Sequence, residues 1–140
     1  MNKQLQQVRE FQKAFEQTLN YRPSFISQKD AELRSDLAIE EIREYDFATE
    51  TDNMVEILDA LVDQAYILFG TVNAHGLQEQ FLRAFDLVHD NNMSKLDENG
   101  NVLKNEHGKV IKPKGFKPVD LKPLFERDAS FRVEPIKIEE

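Results

Sequence analysis

Apolar residues recur at helical spacing over four stretches of the chain. The first, about residues 3–19, carries Leu5, Val8, Phe11, Phe15 and Leu19, which fall on one side of a helix. It should stop before Pro23, because the residue preceding a proline avoids helical backbone. The second stretch, about 28–48, presents Leu33, Leu37, Ile42 and Tyr45. Thr51, Asp52 and Asn53 offer N-caps to a third helix over about 53–73, and Gly76 suits its end. A fourth, about 77–91, shows Phe81, Leu82, Phe85 and Val88. After Asn92 the pattern breaks. Asn99-Gly100 and His107-Gly108 are turn signals, and Val102-Leu103 and Val110-Ile111 could pair as a small hairpin. Pro113, Pro118, Pro123 and Pro135 exclude long helices beyond. The prediction is an all-α bundle of four helices, residues 1–92, with an irregular tail, residues 93–140, in the same domain.

The link between the second and third helices is short, so they should form an antiparallel hairpin. The third differs from the rest. Its run Met54-Val-Glu-Ile-Leu-Asp-Ala-Leu-Val-Asp-Gln-Ala-Tyr-Ile-Leu-Phe69 is apolar nearly all round, the mark of a helix buried on most sides. Yet it holds Glu56, Asp59 and Asp63.

Composition narrows the chemistry. The 140 residues are 40% hydrophobic and 31% charged, ordinary for a globular domain with its own core. A net charge of -8 argues against nucleic acid or an anionic membrane as the main partner. The absence of cysteine removes disulfides, zinc–thiolate sites and cysteine nucleophiles. No stretch reads as a membrane span or a signal-peptide core, so a cytoplasmic location is expected. The region from Ser94 to Lys122 is locally basic, with seven Lys against four Asp or Glu.

Six carboxylates then stand out: Glu40, Glu41, Glu44, Glu56, Asp59 and Asp63. On a helix, Glu41 and Glu44 share one face, and Glu56, Asp59 and Asp63 share another. No Lys or Arg occurs from Glu44 to Leu82, while that stretch contains eight Asp and Glu. Buried carboxylates are costly without a cation. Two facing sets would provide the hard oxygen donors that Mg²⁺ prefers, with Mn²⁺ as the alternative. The competing reading is a solvated acidic face on a helical scaffold. His75 has a capping explanation at a helix end, and His89 a packing one. Neither is expected to be catalytic. The ten Phe residues read as core, with Phe11 and Phe15 the candidates for base stacking.

Glu40-Glu41-Ile-Arg-Glu44 resembles the EExxE motif of the MazG-like all-α nucleoside triphosphate pyrophosphohydrolases, which include phosphoribosyl-ATP pyrophosphohydrolases and dimeric dUTPases. Asp63-Gln-Ala-Tyr66-Ile-Leu-Phe-Gly70 is similar to the end of that family's second acidic helix. The likeness continues through Val88-His89-Asp-Asn-Asn92-Met-Ser-Lys95 and the tail from Gly108 to Asp120. There is one departure. The Glu expected three residues before Asp63 is Ala60. Asp59 is the preferred substitute, with Glu56 as a supporting ligand; the alternative register takes Glu56 and Asp59 as the motif pair. The resemblance implies a Mg²⁺-dependent hydrolase that releases pyrophosphate from a nucleoside triphosphate. It implies metal ligation by Glu41, Glu44, Asp59 and Asp63, and a water-orienting or outer role for Glu40. It implies substrate contacts from Asn92, Lys95, Lys109 and Lys112. It also implies a homodimer or tetramer, with the tail facing substrate or wrapping the dimer. A catalytically silent protein of the same fold is the rival expectation.

Overall fold

The computed structural model describes residues 2–126. Pro135 and the part of the predicted tail from residue 127 onward lie outside the described residues. The chain forms two compact units, divided between Gln78 and Glu79.

The first unit contains α1 (Lys3–Ala14), α2 (Gln28–Glu50) and α3 (Met54–Ala74). Each begins with a side-chain cap: Asn2 accepts from Gln4 and Leu5 amides, Ser27 from Asp30, and Asn53 from Glu56. These bonds satisfy amide donors that the helix cannot. Each also ends the same way. Residues Glu16 (φ 54°), Asp52 (φ 50°) and Gly76 (φ 66°) turn left-handed. The following amides reach back five residues, Gln17 to Gln12, Asn53 to Ala48 and Leu77 to Val72. This is the Schellman closure. It stops α1 at Ala14, short of the expected residue 19, well before Pro23 acts. At Gly76 a side chain would also collide with the Arg22 backbone.

Packing centres on α3, which contacts both α2 and α1. Leu5, Val8, Ala48, Ala60, Val72 and Ala74 are buried. Polar groups reinforce the α1–α3 contact. Fully buried Asn73 donates Nδ2 to Leu5 O (3.1 Å) and Gln12 Oε1 (3.0 Å), and Gln12 donates to Gly70 O (2.8 Å). The loop before α2 covers the end of α3. Asn20 donates from its amide to Asn73 O and from Nδ2 to Ala74 O, and the Ser24 amide donates to His75 O.

The expectation that α3 is buried on most sides fails for this chain. Met54 and Val55 are about three-quarters exposed, and Leu58, Leu61, Val62 and Leu68 are exposed with them. On α2, Leu33, Ile39, Ile42 and Phe47 are exposed too. The physical reason is geometric: within the first unit only α1 packs on the α2–α3 pair, and among the described residues of that unit nothing else covers their remaining faces.

The second unit holds α4 (Gln78–Met93, its first residue still in the first unit) and an irregular segment ending in a short 3-10 helix, Lys122–Phe125. The expected hairpin is reduced to one antiparallel bridge, Lys104 with Val110, around a turn in which Asn105 Oδ1 accepts from the His107 and Lys109 amides. No strand forms among the described residues. No helix among them is long and apolar enough to cross a membrane.

Candidate metal centre

The antiparallel α2–α3 pair brings Glu41 and Glu44 of α2 against Asp63 of α3. One carboxylate oxygen from each lies within 4.8 Å of the others. No Lys or Arg among the described residues forms a salt bridge with any of the three. Glu41 is half-buried, and its Oε2 is shut away from solvent with no hydrogen-bond partner.

The electrostatics follow from that crowding. Glu41 is raised to about 7, first by desolvation and then by the hydrogen bond and charge of Glu44, with Asp63 and Glu40 adding repulsion. Asp63 is raised by desolvation and by the charges of Asp59 and Glu44. Both carboxylates are therefore harder to ionise than free ones, and a cation between them would favour their charged forms. The set fits a hard divalent cation on two grounds: three converging carboxylate oxygens, and a buried acceptor with no hydrogen-bond partner among the described residues. A divalent cation bound there would be held by Glu41, Glu44 and Asp63.

The remaining predicted ligands sit elsewhere. Glu40, Glu56 and Asp59 line a groove of about 960 Å³ near the α2–α3 link, together with Glu44, Asp36 and Arg43. Glu44 is thus common to the trio and the groove. Asp59 is exposed and outside the trio, although its charge is felt by Asp63. Ala60 is buried at 2% exposure. The expectation that Asp59 lies in apolar surroundings is corrected: its side of α3 faces the open groove.

An aromatic group joins α1 to α3. Phe11 and Phe15 stack at 4.4 Å, and Tyr66, one turn beyond Asp63, meets Phe11 edge-on at 5.6 Å. Phe15 is 66% exposed. His75 Nδ1 lies 2.9 Å from Ser24 O, a contact that ties the loop to α3, and His89 is exposed on α4.

In the second unit, Lys95 donates to Asn92 Oδ1 (3.0 Å). Lys95 and Lys112 both lie over the ring of Phe116, at 6.0 and 5.3 Å. Lys109 belongs to the Asn105 turn and is not part of that group. Phe116 was not singled out from sequence. Its position between Gly115 and Lys117, amid lysines, was the available signal.

Comparison with known proteins agrees with the fold and the motifs. None of the curated proteins matches the chain. The family model for phosphoribosyl-ATP pyrophosphohydrolase matches residues 8–92, more than half of the chain and every carboxylate of the trio. The chain accordingly belongs to the phosphoribosyl-ATP pyrophosphohydrolase family, within the MazG-like all-α pyrophosphohydrolase superfamily, and has that superfamily's four-helix architecture.

Proposed function

We propose that this protein is a Mg²⁺-dependent nucleoside triphosphate pyrophosphohydrolase, acting on an NTP or dNTP. Water oxygen bonds to the α-phosphorus, the α–β bridging P–O bond breaks, and a nucleoside monophosphate and pyrophosphate result. The observation that carries this reading is the Glu41–Glu44–Asp63 trio, with its buried, unpartnered oxygen. Mg²⁺, or Mn²⁺ in its place, would supply Lewis-acid polarisation of phosphate oxygens and charge neutralisation.

The side chains do the rest. Glu41 is both a ligand and a catalytic group, since a bound cation would offset the crowding that raises it and keep its carboxylate charged. Glu40, adjacent and exposed, orients the water. Asp59 and Glu56 act as outer or second-cation ligands from the groove side. The exposed Phe11–Phe15 stack offers a π-face for a base. Asn92, Lys95, Lys109 and Lys112 are the proposed substrate contacts, of which Lys95 and Lys112 are grouped by Phe116. The division into a catalytic helical part, residues 1–92, and a tail, residues 93–140, is proposed on the same family ground. A homodimer, with a tetramer as the alternative, would cover the exposed apolar faces of α2 and α3. A cytoplasmic setting, with no nucleic-acid or membrane partner, goes with this substrate class and the acidic charge.

The test is pyrophosphate release from a panel of NTPs and dNTPs with Mg²⁺. Glu44→Gln and Asp63→Asn should each abolish it while the helices persist. A folded Asp63→Asn variant with full activity would overturn the ligand assignment. A silent interaction protein of the same fold is favoured by two observations: Ala60 replaces the motif Glu, and Asp59 does not join the trio. In that case no nucleotide turns over and calorimetry finds no Mg²⁺ binding.

A further inference from the structure

Gly70 is the point where α1 and α2 both lock onto α3. From α1, buried Gln12 donates to its carbonyl. From α2, Arg34 lays its guanidinium in the space where a side chain would be: a Cβ on Gly70 would overlap Arg34 Nη2 and come within 3.1 Å of Cζ. Arg34 donates Nε to Thr71 Oγ1 (3.0 Å) and Nη2 to Ile67 O (2.7 Å). No carboxylate among the described residues pairs with it. A half-buried cation with only neutral partners is a weak source of stability. A glycine inside a helix is unfavourable as well. What both supply is direction: a planar fork holding two acceptors a turn apart on α3 admits one axial position of α2.

That position matters because of spacing. Arg34 precedes Glu41 by seven residues on α2, and Gly70 follows Asp63 by seven on α3. In an antiparallel pair the two contacts are therefore in step, roughly 10 Å apart along both axes. A slide or roll of α2 at Arg34 carries Glu41 and Glu44 past Asp63. The hairpin link pins the pair on the other side of the trio.

We propose that Arg34, seated over Gly70, is a positioning residue that sets the register of α2 on α3 and so holds Glu41 and Glu44 opposite Asp63. The proposal rests on the metal-centre reading for its consequence, though the register itself can be read without metal. Gly70→Ala displaces only the far end of a flexible side chain, so α3 stays helical. Calorimetric titration of the full chain with Mg²⁺ should show a loss of affinity of about tenfold or more, the usual scale for residues that orient ligands. Arg34→Lys should not restore binding, since one ammonium cannot hold both acceptors in that fork. In metal-free protein, amide exchange should rise around Glu41, Glu44 and Asp63 and stay unchanged at Leu5 and Val8. Exchange that rises equally across the chain, or stays at wild-type values, overturns the positioning role. Should Gly70→Ala fail to fold, Arg34→Met decides by the same readouts. Wild-type protein that binds no Mg²⁺ removes the metal reading, and amide exchange then decides the register alone.

Discussion

Binding of Mg²⁺ should expel a measurable fraction of a proton, and Glu41 sets the amount. The perturbation is a Mg²⁺ titration at several pH values. With Glu41 at about 7, roughly half of the molecules carry its proton at pH 7, and about a tenth do so at pH 8. Ligation requires the carboxylate form, so the bound state holds no proton there. Mg²⁺ should thus release about 0.5 proton at pH 7 and about 0.1 at pH 8, and Asp63, raised in the same direction, can only add to this. Calorimetry in buffers of differing ionisation enthalpy reads the number directly, from the slope of binding enthalpy against buffer enthalpy. Below pH 7 the apparent affinity should fall by about tenfold per unit while one proton is displaced. The same shift has a consequence without metal. The folded state holds more protons than the unfolded one between about 4.5 and about 7. Metal-free stability should therefore fall as pH rises through that window, and Mg²⁺ should abolish the fall. A zero slope at pH 7, with Mg²⁺ bound, would refute the crowding argument.

Three further outcomes test other parts of the structure. Asn73→Ala leaves buried Gln12 Oε1 without its donor and takes a second donor from Leu5 O, which keeps its helix bond; it should cost roughly 1–3 kcal/mol in urea unfolding, and no measurable loss would contradict the network. Leu58→Glu, at an exposed apolar position on α3, should leave circular dichroism unchanged and reduce the mass by light scattering to that of one chain; an unchanged mass would move the interface elsewhere. Asp59→Asn should weaken Mg²⁺ binding less than Asp63→Asn does, because Asp59 is outside the trio; equal losses in calorimetry would bring Asp59 into the coordination shell.

Three helices were legible because their apolar residues recur at helical spacing, and α3 because a long apolar run follows the Asn53 cap. That acidic residues of α2 and α3 should face each other followed from helical spacing and a short link; the ligand set came from the family resemblance, which placed Asp59 beside Asp63, whereas only Asp63 joins Glu41 and Glu44. The end of α1 was not legible, since it depends on Glu16 adopting left-handed backbone, which its residue type does not announce. Burial along α3 was overread: an apolar surround says that a helix needs covering, and not whether the same chain does the covering. The seat of Arg34 over Gly70 was invisible for a related reason. It joins residues far apart in sequence; both fall in family-like stretches, from Val8 to Arg34 and from Asp63 to Gly70, but nothing in either pattern pairs them.

The three-residue link between α2 and α3 also bears on how the molecule folds. Its closure is local, through Thr51, Asp52 and Asn53, so little chain entropy opposes it. Contacts of short sequence separation form early. The hairpin that carries the trio is then among the first structures made, and like charges are forced together while the rest of the chain is still loose. Their repulsion acts on the rate of folding as well as on the final balance. Acid or Mg²⁺, by quieting those carboxylates, should speed the approach to the native state rather than merely slow its loss.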